Sequence, residues 1–262
     1  MRAARYNNKV MALKVCSLAS GSKGNCIFIG SRRTSLLIDA GVSPKRIAAS
    51  LEAIGESLPA HILLSHTHSD HFRYVPALCE KGMTLHYGRP ARRAAERIAG
   101  AEDFCGDFCI GDITVSPFAV SHDVPCYGFS FYSEGSKVTV GTDLGFMPRQ
   151  TLEAMSDSDA VLIESNYDEH MLAVNPNYPA MLKARISGSR GHLSNTESAE
   201  CTAYLAGKGV KHILLGHLSE QNNTPSAALG RAEAALAKYG LAGKASLAAA
   251  SQHEVSEVIE VS

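Results

Sequence analysis

Apolar positions along this chain come in short runs separated by turn residues, a pattern of strands more than of long helices. Leu13–Leu18, Cys26–Gly30 and Thr34–Asp39 open the sequence as three such runs, with a Gly/Ser-rich turn at 19–25 between the first two. Helical spacing first shows at 44–54, where Ser43 stands at the N-cap and Pro44 at the first helical position. The run 61–65 predicts a buried strand, and helices are expected near 73–81 and 90–99 around a short strand at 84–87. Strand patterns return at Ile113–Ser121, Tyr127–Ser133 and Lys137–Thr142, followed by a helix at 148–155 and a strand at Ala160–Glu164. Residues 166–192 keep no period and are expected to be irregular. Ser194-x-x-Glu197 is a capping box that predicts a helix through Ala206. A strand at 211–216, a helix at 226–238 and two last strands near 245–249 and 257–261 complete the pattern. Strands in blocks with helices between them predict an α/β chain of two packed sheets with helices outside.

Composition narrows the picture modestly. A hydrophobic fraction of 45% in 262 residues, with no repeat, low-complexity segment or long linker, fits one folded domain over 11–262. Residues 1–10 are basic and polar, and are expected to be a disordered extension or a misassigned start. Seven cysteines without a C-x-x-C point to reduced thiols in a cytoplasmic protein, and Cys105 and Cys109, the close pair, read as structural. No apolar run reaches membrane-spanning length, so no membrane partner is expected. A formal net charge of −1 leaves any polyanion site to local clusters. No G-x-G-x-x-G or Walker pattern follows a strand, which removes nucleotide-cofactor chemistry.

Chemistry enters at Ser65-His66-Thr67-His68-Ser69-Asp70-His71, an H-x-H-x-D-H run directly after the predicted strand. Residues two apart in an extended segment share a side, so His66 and His68 can hold one metal ion. Asp70 and His71 follow a change of chain direction and face a second position. Imidazole with carboxylate suits Zn²⁺, Mn²⁺ or Fe, and the tight cluster suggests two divalent ions. Two ions need further donors. Three apolar runs elsewhere end in one: His122 after Phe118–Ser121, Asp143 after Val138–Thr142, and His217 after His212–Gly216. All three would converge at one sheet edge, where α/β sites commonly form.

With these residues in view, the chain resembles the metallo-β-lactamase superfamily over nearly its whole length. The resemblance implies a four-layer αββα sandwich. It also implies that His66, His68 and His122 hold a first metal, that Asp70, His71 and His217 hold a second, and that Asp143 bridges the pair. A narrower likeness rests on 18–26 (LASGSKGNC), 37–41 (LIDAG), 163–168 (IESNYD), 191–195 (GHLSN), and His217-Leu218-Ser219 with Asn222-Asn223. These segments are similar to the YycJ/WalJ family, linked to 5′-to-3′ DNA exonuclease activity. Tyr74 departs from that pattern, standing where glycine usually follows the metal motif.

The same resemblance directs the chemistry. Two ions can share a water as hydroxide and stabilise the attacking and leaving oxygens at phosphorus. A 3′-alkoxide then needs a proton. His192, which matches an extra histidine of the tRNA 3′-processing nucleases and stands outside the metal shell, is the candidate acid. Glu164 would orient it or hold its proton, and Asp70 is counted with them as catalytic. Lys183, Arg185 and Arg190 are candidate phosphate contacts, as is Lys23 with the N–H groups around Gly21 and Gly24. Asn166, in the family segment 163–168, and Tyr167 are further candidates for substrate contact, Tyr167 and Tyr178 as base platforms. The expected substrate is duplex DNA. A small-molecule hydrolase (thioester or cyclic-nucleotide esterase) and an RNA-processing nuclease stay open on the same site.

Overall fold

Alternation along the strands is what stacks this chain into layers. The structure is a computed structural model that describes residues 12–262; the expected extension, residues 1–10, lies outside them. One sheet takes β1 (Leu13–Ala19), β2 (Cys26–Gly30), β3 (Ser35–Ile38), β4 (His61–Leu64), β5 (Thr84–Gly88) and β6 (Glu102–Phe104). The other takes β7 (Phe108–Ile110), β8 (Ile113–Val120), β9 (Cys126–Ser133), β10 (Ser136–Gly141), β11 (Ala160–Glu164), β12 (His212–Gly216) and β13 (Ser246–Ala249). A last strand, β14 (Ile259–Val261), returns to pair with β1 and gives each sheet seven strands.

Ile27, Ile29, Leu36, Ile38 and Leu63 of the first sheet meet Phe129, Phe131, Val138, Val140, Leu162 and Leu214 of the second in a shared inner core. Their immediate neighbours in sequence face outward. Phe28, Leu37, Ile62 and Leu64 pack with Ile47 and Leu51 of α1 (Pro44–Ala53). Val161, Ile163, Ile213 and Leu215 pack with Ala199, Ala203 and Leu205 of α8 (Asn195–Gly207), and with Ala232 and Leu236 of α9 (Pro225–Lys238). Period-two burial on both faces makes each sheet a middle layer, and the outcome is the four-layer αββα sandwich. Truncating a ring such as Phe129 to Ala would cost about 3–5 kcal/mol, because the cavity would lie between two sheets that cannot both close on it.

Strand direction positions the site. β3 to β6 run parallel, and so do β10 to β13, so their C-terminal ends collect along one edge of the sandwich. β8 joins them, being antiparallel to β9, which is antiparallel to β10.

The expected elements differ in places. The helix anticipated at 73–81 shrinks to α3 (Val75–Cys79) after Tyr74, and a separate short helix, α2 (Ser69–Phe72), forms before it within the His-rich loop. The helix anticipated at 90–99 shrinks to α4 (Arg92–Ala95) after a 3₁₀ turn. Between α5 (Arg149–Met155) and α8, the stretch expected to be irregular contains α6 (Glu169–Val174) and α7 (Ala180–Ile186). At six and seven residues each, these helices are too short to display a period. β6 and β7 were not expected; Glu102 and Asp103 disguise a three-residue edge strand as a loop.

Candidate metal centre

Past the ends of β3, β10 and β12, Asp39 (φ 61°), Asp143 (φ 59°) and His217 (φ 55°) adopt left-handed backbone. This conformation costs roughly 1–2 kcal/mol for a residue with a Cβ, although Asp and His carry it better than most. Their hydrogen bonds hold them there. His217 N–H donates to Ser20 Oγ at 2.7 Å and its carbonyl accepts from Asn166 Nδ2 at 2.7 Å, while Asp143 N–H reaches Glu164 Oε1 at 3.3 Å. The left-handed turn swings each side chain back over the edge where the strands end.

There it meets the loop after β4. One potential ligand atom from each of His66, His68 and His122 lies within 4.8 Å of the others, and the same is true of Asp70, His71 and His217. A third cluster of that span, His66, His71 and Asp143, joins the two. Donors about 2.1 Å from a common ion stand roughly 3.4 Å apart in a tetrahedron, so small side-chain adjustments suffice.

Hydrogen bonding selects which nitrogens remain for a metal. The Asp39 carboxylate accepts from His71 Nδ1 at 2.7 Å, from Ser65 N–H at 2.8 Å and from Ser65 Oγ–H at 2.6 Å. With its proton given to Asp39, Ser65 Oγ accepts from His66 Nδ1 at 3.0 Å. His122 Nδ1 donates to the Gly191 carbonyl at 3.2 Å, and His217 Nδ1 to Glu164 Oε1 at 2.7 Å. Accepting partners hold a proton on Nδ1 in each ring and make Nε2 the nitrogen that a metal would take. Nε2 of His66, Nε2 of His217 and Oδ2 of Asp143 are indeed buried with no hydrogen-bond partner. An unsatisfied buried polar atom costs about 1–3 kcal/mol, so three around one point are hard to explain by protein contacts. Donor type, spacing and orphaned lone pairs all fit divalent metal ions.

Charge divides the cluster. Burial pushes His66 well below the ordinary imidazole range and His122 below it. His71 goes the other way, up to about 9, because burial is outweighed by the carboxylates of Asp143, Asp39 and Asp70. His217 is likewise raised, burial being overcome by Asp143, Asp70 and Glu164. Burial also pushes the Asp70 carboxyl upward, but the His217 ring, with Nε2 3.8 Å from Oδ2, and the His71 charge bring it down to about 2.

Glu164 is the hub behind these donors. Fully buried at the end of β11, it accepts from five groups: His217 Nδ1, His192 Nδ1 (2.9 Å), and the N–H groups of Asp143, Leu144 (2.8 Å) and Leu193 (3.0 Å). Burial raises its carboxyl, yet His192 and His217 hold it at about 2. The expected contact between Glu164 and His192 is therefore present, and His192 is left with Nε2 turned from its anchor. A cavity of about 140 Å³ lined by His122, Asp123, Arg185, Arg190 and His192 opens beside it.

Other expected contacts are not formed. Lys23 pairs with Glu220, and the N–H groups of Gly21 and Gly24 are satisfied inside their own turn, so there is no phosphate cradle. Asn166 is buried and holds the His217 carbonyl; Tyr167 is buried in the interior and offers no face to a base. Lys183 donates to the Ala173 carbonyl at 2.6 Å, Arg185 to Asp123 at 2.7 Å, and Arg190 to the His122 carbonyl at 3.1 Å. Arg185 thus pairs with a carboxylate of the fold, while Lys183 and Arg190 hold backbone carbonyls. Sequence reading also missed Asp39 and Asp123. Asp39 ends an apolar run, so the rule that found His122, Asp143 and His217 would have found it too. All seven cysteines are free, with Cys126 Sγ 3.5 Å from His66 Nδ1. Among the described residues, no helix is long and apolar enough to cross a membrane.

Comparison with known proteins agrees with this geometry. Residues 34–218 match the beta-lactamase superfamily domain. The chain is 35% identical over 228 residues to exodeoxyribonuclease WalJ of Streptococcus pneumoniae, an alignment covering 81% of this chain and 84% of that protein. It is 33% identical over 226 residues to exodeoxyribonuclease YycJ of Bacillus anthracis, covering 81% and 85%. The crystal structure of YhfI from Bacillus subtilis, a metallo-beta-lactamase fold protein, superposes with a TM-score of 0.74 over 95% of this chain and 99% of that one. At 15% identity, that likeness speaks to the fold alone.

Proposed function

The chain belongs to the metallo-β-lactamase superfamily and within it to the WalJ/YycJ family, and on that premise we propose that it is a metal-dependent nuclease that removes nucleotides from the 5′ end of duplex DNA. His66, His68 and His122 would hold one divalent ion, Asp70, His71 and His217 a second, with Asp143 between them; Zn²⁺ and Mn²⁺ both suit the donors. When bound, such ions supply Lewis acidity at phosphorus and acidify water. The protein's own residues do the rest. Asp70, ionised at neutral pH, is placed to accept a proton from the attacking water. His192, fixed through Nδ1 by Glu164, presents Nε2 to the leaving 3′-oxygen and gives it a proton. Glu164 is a positioning residue, since one buried carboxylate orients both His192 and His217.

The observation that carries this reading is His192. It is a partly exposed imidazole, anchored on one nitrogen; it clusters with Asp143, Glu164 and His217, and belongs neither to the His66–His68–His122 set nor to the Asp70–His71–His217 set. Phosphodiester cleavage needs such an acid, because an alkoxide leaves poorly, whereas a thiolate leaves without help. The test is a metal-supplemented assay on 5′-labelled duplex DNA, single-stranded DNA, RNA and a thioester, with Asp70→Ala/His71→Ala as the inactive control. Cleavage of duplex from the 5′ end is expected. Thioester turnover with no nucleic-acid cleavage would sink the proposal.

A further inference from the structure

Asp123 follows His122 at the end of β8, and no role has been given to it so far. Two N–H groups of Arg185, Nε at 3.2 Å and Nη2 at 2.7 Å, both donate to its Oδ2. Oδ1 is thereby turned inward, buried, without a partner in hydrogen-bonding geometry. It stands 3.2 Å from His68 Nε2. At the other nitrogen of the ring, His68 Nδ1 is 3.3 Å from His122 Nε2, the nitrogen left with a lone pair by Gly191, and Asp123 Oδ1 is itself 3.4 Å from that His122 Nε2. Arg190 clamps the backbone beneath, donating to the carbonyls of His122 at 3.1 Å and Asp123 at 3.4 Å.

From this we infer that Asp123, held by Arg185 of α7, is a positioning residue for His68: its Oδ1 accepts from Nε2–H once an ion seats the ring, and so leaves Nδ1 for the first metal. The inference rests on the metal assignment proposed above and deepens it. His66, His71, His122 and His217 each have a fixed acceptor on Nδ1, whereas the carboxylate oxygen beside His68 stands 3.2 Å from Nε2. A ring free to choose its tautomer offers the metal the wrong nitrogen part of the time. Supporting carboxylates of this kind are typically worth about 10–100-fold in metal affinity. The arrangement also links α7, which stands over the cavity beside His192, to the first metal position through a single guanidinium.

The experiment measures Zn²⁺ affinity and stoichiometry, with ¹⁵N chemical shifts of the histidine rings, for wild type, Asp123→Ala, Asp123→Asn, Arg185→Ala and Arg185→Lys. Circular dichroism checks that each is folded. Asp123→Ala should weaken the first ion about 10–100-fold, leave the second unchanged and lose the Nε2–H preference of His68. Arg185→Ala should weaken it less, add nothing in the double variant, and be partly rescued by Arg185→Lys. Asp123→Asn keeps the shape and an acceptor oxygen, and should fall between wild type and alanine. Wild-type affinity and tautomer in both alanine variants would overturn the inference, as would complete loss of the first ion in Asp123→Ala and Asp123→Asn, which would make Asp123 a ligand. If wild-type protein took up no ion pair, the underlying assignment would fail instead.

Discussion

The two halves of the donor cluster are chemically unlike. Around His66 and His122, burial with few carboxylates keeps the imidazoles neutral, ready to bind a cation at neutral pH. Around His71 and His217, Asp39, Asp70, Asp143 and Glu164 crowd in and hold protons on both rings. Similar ligands thus make an open position and a proton-guarded one. The difference teaches that ligand identity alone does not set loading; the charge of the supporting shell does.

The hardest blow to this division is Asp143→Ala, since Asp143 faces both halves. Nuclease activity should fall by roughly 10⁴-fold or more, and metal analysis should show fewer than two ions retained. Full occupancy in that variant would mean that the halves are independent. His192→Ala probes the boundary of the cluster from outside. It should keep both ions while lowering cleavage roughly 10²–10⁴-fold; loss of an ion would make His192 a ligand.

Acidity sharpens the contrast directly. Dialysis against limiting Zn²⁺ at pH 8 and pH 6 should give about two bound ions and then about one, because only the guarded position must shed protons. Its affinity should weaken about 10–10²-fold per pH unit through one or two displaced protons. Equal loss from both positions would erase the asymmetry. The smallest effect belongs to the metal-stripped protein. His71 is raised to about 9, so its contribution is complete below the unfolded value near 6.5 and is lost as pH rises through 9. Asp70 and Glu164, held at about 2, contribute above about 4 and lose that contribution as pH falls through 2. Thermal unfolding in chelator should therefore peak near pH 5–6.5 and decline towards pH 9. His71 alone should contribute about 3 kcal/mol to the decline, or several degrees in Tm, with His217 acting in the same direction, and the decline should vanish when Zn²⁺ is restored. A flat profile would show that the carboxylates do not hold those protons.

Much of the site was legible before folding because its chemistry is locally encoded. The H-x-H-x-D-H loop needs only its own spacing, and His122, Asp143 and His217 declare themselves by ending apolar runs. For Arg185 and Arg190 the sequence did not show the partners within the fold, because a cation looks the same in sequence whether it faces a phosphate, an aspartate or a backbone carbonyl. Tyr167 is similar, since an aromatic ring can be a platform or a core residue until its neighbours are known. Asp123 was invisible because its meaning depends on Arg185, 62 residues away.

The sequence by itself determined the layers and the donor types, since strand periodicity and ligand chemistry belong to short segments. Only the tertiary structure decided which nitrogen each histidine offers, which carboxylates stand behind it, and where protons reside. Those are properties of contacts between distant strands, and no local pattern carries them.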